Sequence, residues 1–315
     1  MARKLHHEGR STSTLQPRVI AVVGPTAAGK TALSVAVAEA LSGEVVNADS
    51  MQLYRGMDIG TAKITAAERR GVPHHVFDVL DVTEGADVVR YQSLARAAVD
   101  DIAARGRRPV LVGGSGLYVQ AALDEMDFPG TDPLVRARLE AELDREGPAA
   151  LWERLRRADP AAAQAILPSN GRRVVRALEV VELTGSFTAT LPEPKAHYAA
   201  VRIGVDLDTA VLDERIERRV KAMWDAGLVD EVRRLEAEGL REGRTASRAL
   251  GYQQVLAFLA GEYDEEEAFR RTVQGTRRFV RRQRSWFKRD DRIEWFDAAD
   301  PDLPERVLDR LARHP

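Results

Sequence analysis

The chain has 315 residues, 44% hydrophobic and 30% charged, enough for one large core with an insertion or for two modest domains. It contains no cysteine, which excludes disulfides, thiolate catalysis and Cys-ligated zinc and fits a cytoplasmic setting; no apolar run approaches the roughly 20 residues of a membrane helix. The formal net charge is −2, yet between Arg270 and Arg292 ten basic residues stand against two acidic ones, so a local +8 is balanced by −10 elsewhere. That asymmetry predicts a polyanion partner at one place.

The opening "MARKLHHEGRSTSTLQP" is basic and lacks the apolar stretch of a secretory signal, so residues 1–16 read as a disordered tail. "RVIAVVG" (18–24) has the β-branched content of a buried parallel strand, and "KTALSVAVAEAL" (30–41) reads as helix. Between them "GPTAAGKT" (24–31) has phosphate-loop spacing: Gly24 and Gly29 let successive N–H groups turn toward phosphate oxygens, Lys30 adds a point charge, and the Thr31 hydroxyl is the usual magnesium ligand. "GEVVNADS" (43–50) reads as a second strand that leaves Asp49 beside that loop. Asp49 and Ser50 either cap a turn, or Asp49 holds magnesium or serves as a general base.

"HHVFDVLD" (74–81) is a weaker strand. Its adjacent His74 and His75 point to opposite faces, which favours structural roles over a metal pair. A helix follows over 88–106, then "RPVLVGGSG" (108–116), a buried strand running into a glycine turn. A phosphate-loop kinase commonly carries an acidic residue there; Gly113, Gly114, Ser115 and Gly116 make either a tight turn or room for something bulky.

Residues 132–184 read as consecutive helices broken at Gly147-Pro148, Asp159-Pro160 and Pro168–Gly171, and "AAVRIGVD" (199–206) returns to strand. The predicted fold class is therefore α/β: a P-loop NTPase-like parallel-sheet core over 17–126 and 199–315, a helical insertion domain over 127–198, and a mostly helical C-terminal part. In the insertion, Arg172, Arg173 and Arg176 crowd a helix start, which opposes the helix dipole unless an anion or partner faces them. Over 212–235, Leu212, Ile216, Val220 and Met223 have core spacing, while Arg215 and Arg219 share another face. A long basic helix over about 265–288 carries a packing stripe of Phe269, Val273, Thr276, Val280 and Phe287. Arg270, Arg277, Arg281, Arg284 and Lys288 line a neighbouring face, whose mutual repulsion a phosphate backbone would relieve.

The motifs "GPTAAGKT", "DSMQLYRGMDIGTAK", "PHHVFDV", "VGGSGLY", "NGRRVVRALEV", "RIERRVKAMWDAGLVDEV", "RALGYQQ" and "RRQRSWFK" stand in one order over about residues 18–297 and closely resemble the tRNA dimethylallyltransferases. The resemblance implies transfer of a dimethylallyl group from dimethylallyl diphosphate to N6 of the adenosine 3′-adjacent to the anticodon (adenosine 37), by an enzyme using magnesium; the lack of a sustained heptad or pairing edge favours a monomer, and the cysteine-free composition fits the cytoplasm. It assigns Gly24, Pro25, Thr26, Ala27, Ala28, Gly29, Lys30 and Thr31 to the diphosphate, with Arg219 or, as alternative, Arg215, and magnesium near Thr31. Asp49 is implied as the base facing N6, and Thr26 as a polar contact in the reaction channel. The tRNA contacts it implies are Asp49, Ser50, Met51, Gln52, Ser115, Arg136, Arg172, Arg173, Arg176, Arg248, Gly251, Tyr252, Gln253, Arg281, Arg282, Gln283, Arg284 and Lys288. The family often has serine at Ala28 and threonine at Ser115. Under this resemblance the glycine turn becomes the wall of a channel for an extruded base. The rival readings are a small-molecule kinase, a transferase acting on free adenine nucleotides, and an RNA-binding module without catalysis.

Overall fold

The computed structural model describes residues 18–189 and 193–313, so the tail expected over 1–16 lies outside the described residues. The strands are β1 (Arg18–Val23), β2 (Gly43–Asn47), β3 (His74–His75), β4 (Arg108–Gly113), β5 (Ala199–Asp206) and β6 (Ile293–Asp297). They form one six-stranded sheet in the order β3-β2-β4-β1-β5-β6, with every neighbouring pair parallel.

The helices of this unit are α1 (Lys30–Ala40), α2 (Val88–Ala104), α3 (Gly116–Leu123), α8 (Thr209–Asp225), α9 (Leu228–Ala237), α10 (Tyr252–Leu259), α11 (Glu265–Phe287) and α12 (Leu303–Ala312); α4 to α7 belong to the insertion. Alternate residues of a strand face opposite sides. Val19, Ala21 and Val23 accordingly enter a core with α2, α3, α9 and α10, whereas Ile20 and Val22 enter another with α1 and α12. A sheet covered on both faces leaves only its strand ends open to a ligand.

One local expectation changes, and one segment resolves into two elements. The strand foreseen over 74–81 shortens to His74–His75, because Val76 and Asp78 take left-handed φ of 63° and 55°, which end a strand. The segment 212–235 forms two helices, separated at Gly227 with φ 95°.

The second compact unit, Glu125–Lys195, contains α4 (Pro133–Glu146), α5 (Pro148–Ala158), α6 (Pro160–Gln164) and α7 (Gly171–Thr184). Three of these helices start on a proline, whose missing N–H falls where no intrahelical bond is needed. Leu139, Leu151, Leu155, Val174 and Leu178 build their common core.

Candidate active site

The phosphate loop leaves β1 at Gly24 and enters α1 at Lys30. Gly24 has φ 141°, and a Cβ there would stand 2.1 Å from the Val205 carbonyl oxygen of β5, so only glycine lets the loop leave the strand this way. Ala27 is held at φ 65°, a strained conformation typical of functional loops. The α1 N-cap, Gly29, supplies no side-chain cap, so the first-turn N–H groups are left for an anion. Lys30 Nζ donates to the Pro25 carbonyl at 2.7 Å. Burial pulls the Lys30 pKa from 10.5 to about 8, against the pull of Asp49, which raises it.

Strand order corrects the sequence reading of Asp49. β4 lies between β1 and β2, so Asp49 and the phosphate loop are not on neighbouring strands. What brings them to one cleft is the glycine turn at the end of β4. A Cβ on Gly113 would stand 2.1 Å from the Ala48 carbonyl oxygen. One on Gly114 would stand 2.3 Å from Gln283 Nε2, and one on Gly116 would stand 2.0 Å from Trp286 Cδ1. On the side where a Cβ would project, the room left by these glycines is filled by the chain itself. An acidic side chain in this middle position would meet the same obstacles.

Asp49 makes the tight turn the sequence allowed, its Oδ1 accepting from Met51 N–H at 2.9 Å, and its half-buried carboxylate acts electrostatically on the cleft cations. Its charge is felt by Lys30 and by Arg219 of α8, and burial lowers the Arg219 pKa. Arg219, rather than Arg215, is the arginine coupled to Lys30 and Asp49. Its Nη2 makes a long 3.4 Å contact with the Thr61 carbonyl. Ser115 Oγ accepts from Ser50 N–H at 3.2 Å and lies 3.3 Å from Ser50 Oγ, tying the Asp49 turn to the glycine turn. Gln52 Nε2 donates to the Thr61 carbonyl at 3.1 Å.

Glu231 of α9 was not foreseen. This buried carboxylate accepts from the N–H groups of Asp58 (3.1 Å), Ile59 (2.8 Å) and Gly60 (3.2 Å) and from the Tyr252 hydroxyl (2.5 Å). It therefore fixes the loop that presents Thr61 to Arg219 and Gln52. The readable signal was its place on the apolar face of α9, three residues after Leu228 and four before Leu235.

Several expected RNA contacts turn inward. Tyr252 is fully buried against Glu231, Gln283 is 5% exposed, and Arg284 pairs with Asp206 at 2.8 Å and donates to the Thr209 hydroxyl. On the expected cationic stripe, Arg270 is paired with Glu267, and Arg277 with Glu217 at 2.9 Å. Arg281 and Lys288 of that stripe are exposed, as are Arg278, Arg282 and Arg289 beside them. Arg248 and Gln253 are also exposed, and Gly251, with φ 88°, opens α10.

In the insertion, Arg136 and Arg176 are both paired to the buried Glu179, and Arg176 also donates to the Pro129 and Gly130 carbonyls. Arg173 donates to the Ala189 carbonyl at 2.6 Å, and Arg172 is exposed. Ala28 is 1% exposed in the core shared with α1. His75 Nε2 lies 2.7 Å from Glu44, and His74 Nδ1 lies 2.8 Å from the Val72 carbonyl, so each histidine is engaged within its own neighbourhood of β2 and β3. Among the described residues no group of three or more His, Asp or Glu could hold a metal ion.

A phosphate cradle, two desolvated cations and one carboxylate thus converge where an acid-free strand separates them. The IPP transferase family model matches residues 52–290. The chain belongs to this family. It is 70% identical over 291 residues to a tRNA dimethylallyltransferase of Salinispora arenicola, covering 92% of this chain and 85% of that protein. It is 65% identical over 296 residues to one of Streptomyces avermitilis, covering 94% and 95%. Among solved structures, a tRNA isopentenylpyrophosphate transferase of Bacillus halodurans superposes with TM-score 0.71 at 42% identity, covering 94% of this chain and 96% of that one. A eukaryotic dimethylallyltransferase acting on tRNA superposes with TM-score 0.77 at 26% identity, covering 95% and 80%. The family member described here is accordingly a prenyl-transferring enzyme with a P-loop-like α/β fold. No helix among the described residues is long and apolar enough to cross a membrane.

Proposed function

We propose that this cleft transfers a dimethylallyl group from dimethylallyl diphosphate to N6 of the adenosine 3′-adjacent to the anticodon of tRNA. The observation that carries the reading is the convergence of the phosphate loop, Lys30, Arg219 and Asp49 about a middle strand that ends in glycines and bears no acid. Asp49 accepts a proton from N6, whose lone pair is otherwise delocalised into the ring. A bond forms between N6 and the allylic carbon as the bond from that carbon to the diphosphate oxygen breaks. The leaving charge is met by Lys30, the first-turn amides of α1 and Arg219, which are already in place and partly desolvated. Of the two candidate arginines, Arg215 and Arg219, Arg219 is the one suited to this role.

The residues present fit magnesium. The exposed Thr31 hydroxyl is an oxygen donor at the start of α1, and so short a protein donor set suits an ion that keeps waters and binds substrate phosphates. Bound with the diphosphate, it would neutralise charge on the leaving group. For tRNA, the exposed Arg281, Arg282, Lys288, Arg248 and Gln253, with Arg172 in the insertion, are the side chains open to a phosphate backbone. The reading includes a cytoplasmic monomer, supported by the cysteine-free composition and the absence of a sustained heptad.

The test is incubation with labelled dimethylallyl diphosphate and unmodified tRNA. Label is expected at the N6 of that adenosine; its absence from the RNA, or transfer to AMP in preference to tRNA, would overturn the proposal.

A further inference from the structure

We infer that Gln283 is a positioning residue for the phosphate loop, through which the inner face of α11 sets the geometry of the diphosphate cradle; the inference rests on the reading of that loop as the diphosphate holder. Gln283 stands among Arg281, Arg282 and Arg284 in sequence, yet its side chain is enclosed. Its Oε1 accepts from Thr26 N–H at 2.9 Å and its Nε2 donates to the Gly114 carbonyl at 2.9 Å. Those two groups belong to the turns that leave the adjacent strands β1 and β4. One side-chain amide therefore joins the phosphate loop to the glycine turn.

The chemistry of the link is selective. A primary amide is a neutral group that carries an acceptor and a donor at one end. Glutamate in its ionised form can accept from Thr26 but cannot donate to Gly114. Methionine fills a similar volume and does neither, and asparagine is one methylene short. The surroundings are shaped for this end group, since a Cβ on Gly114 would stand 2.3 Å from Nε2. One turn further along α11, Trp286 occupies the space beside Gly116.

The consequence for the cradle follows from direction. The Thr26 amide is committed to Gln283 and so is not itself a phosphate donor. Immediately after it comes Ala27 at φ 65°, and then the turn into α1. Where Thr26 is anchored decides where the following N–H groups aim. A buried link of this kind acts on the diphosphate and leaves the exposed cations of α11 unchanged.

The test compares Q283M, Q283E and Q283N with wild type in the full chain. It uses inorganic diphosphate affinity by calorimetry without tRNA, kcat and KM for dimethylallyl diphosphate at saturating tRNA, and tRNA Kd by filter binding. Q283M is expected to weaken diphosphate binding about tenfold or more with tRNA Kd within twofold of wild type. Q283E is expected to raise KM further, because a carboxylate then stands beside the diphosphate, and Q283N to restore little. If Q283M does not fold, Q283N, one methylene short of both partners, carries the same criteria. Unchanged diphosphate affinity in these variants, or a raised tRNA Kd with unchanged KM, overturns the inference. Failure of the wild type to label tRNA overturns the functional reading instead, and diphosphate calorimetry keeps the two outcomes apart.

Discussion

Two sets of cations on this chain work under opposite conditions. Lys30 and Arg219 sit in the cleft, few in number, drawn down in pKa by burial and facing one carboxylate. Arg278, Arg281, Arg282, Lys288 and Arg289 stand on or beside the outer face of α11, numerous and exposed. A desolvated cation acts strongly at short range on charge that develops in one place. An exposed row acts through counterion release, weakly per residue and less as salt rises. The difference teaches that the basic segment seen in the sequence is not one device: its inward residues support the cleft, and its outward residues are open to a polyanion.

The sharpest way to break this comparison is at the carboxylate the cleft cations face. Asp49→Asn keeps the turn to Met51 but removes the base, and kcat is expected to fall about 10²- to 10⁴-fold with tRNA Kd little changed. Unaltered single-turnover transfer would remove Asp49 from the chemistry. Next is Lys30→Met, expected to cost about 10²- to 10³-fold in kcat because the leaving group then has one donor fewer. In the wild type, an anion favours the ammonium form. Diphosphate affinity should therefore be full below pH 8 and decline as pH rises through it, and this dependence should vanish in Lys30→Met. The fold shows the opposite trend. Because the folded pKa of about 8 lies below the ordinary 10.5, the unfolded chain holds more protons between them, so this lysine's contribution to stability rises with pH across that window.

On the outer face, the double change Arg281→Glu, Arg282→Glu is expected to weaken tRNA binding about tenfold. The log Kd versus log salt slope should flatten by about 0.7 to 0.9 for each phosphate that the variant no longer neutralises, with dimethylallyl diphosphate KM unchanged. A salt slope equal to that of wild type would take this face out of the interface. The smallest effect is expected for Glu231→Gln, which preserves size but replaces a charged acceptor of three backbone N–H groups. A loss of about 1 to 3 kcal/mol in unfolding free energy and a several-fold drop in kcat follow if the loop holding Thr61 steadies Arg219. A drop in melting temperature with kcat intact would confine Glu231 to stability.

Much of the architecture was legible because it follows from local chemistry. The buried strands, the phosphate loop and the proline-marked helix starts of the insertion all appear where their residue types demand. Strand order was not legible, since hydrogen bonding between distant strands leaves no local trace; this is why Asp49 looked adjacent to the loop when β4 intervenes. Gln283 and Tyr252 were read as RNA contacts from the motifs around them. Yet Gln283 is three residues after Val280 and four before Phe287, both buried, so helical periodicity alone placed it inside. Arg277 and Arg284 looked like members of a polyanion stripe because their partners, Glu217 and Asp206, lie on other elements.

The strand that separates the phosphate cradle from Asp49 also acts as a ruler. Neighbouring strands lie about 4.8 Å apart, so β1 and β2 are held roughly 10 Å from each other by backbone hydrogen bonds to β4 on both sides. That separation is independent of which apolar side chains fill the cores beneath. Substitutions there can soften the molecule while the spacing between Asp49 and the phosphate loop is preserved, and a single methyl at Gly113, pressed against the Ala48 carbonyl, would alter it at once.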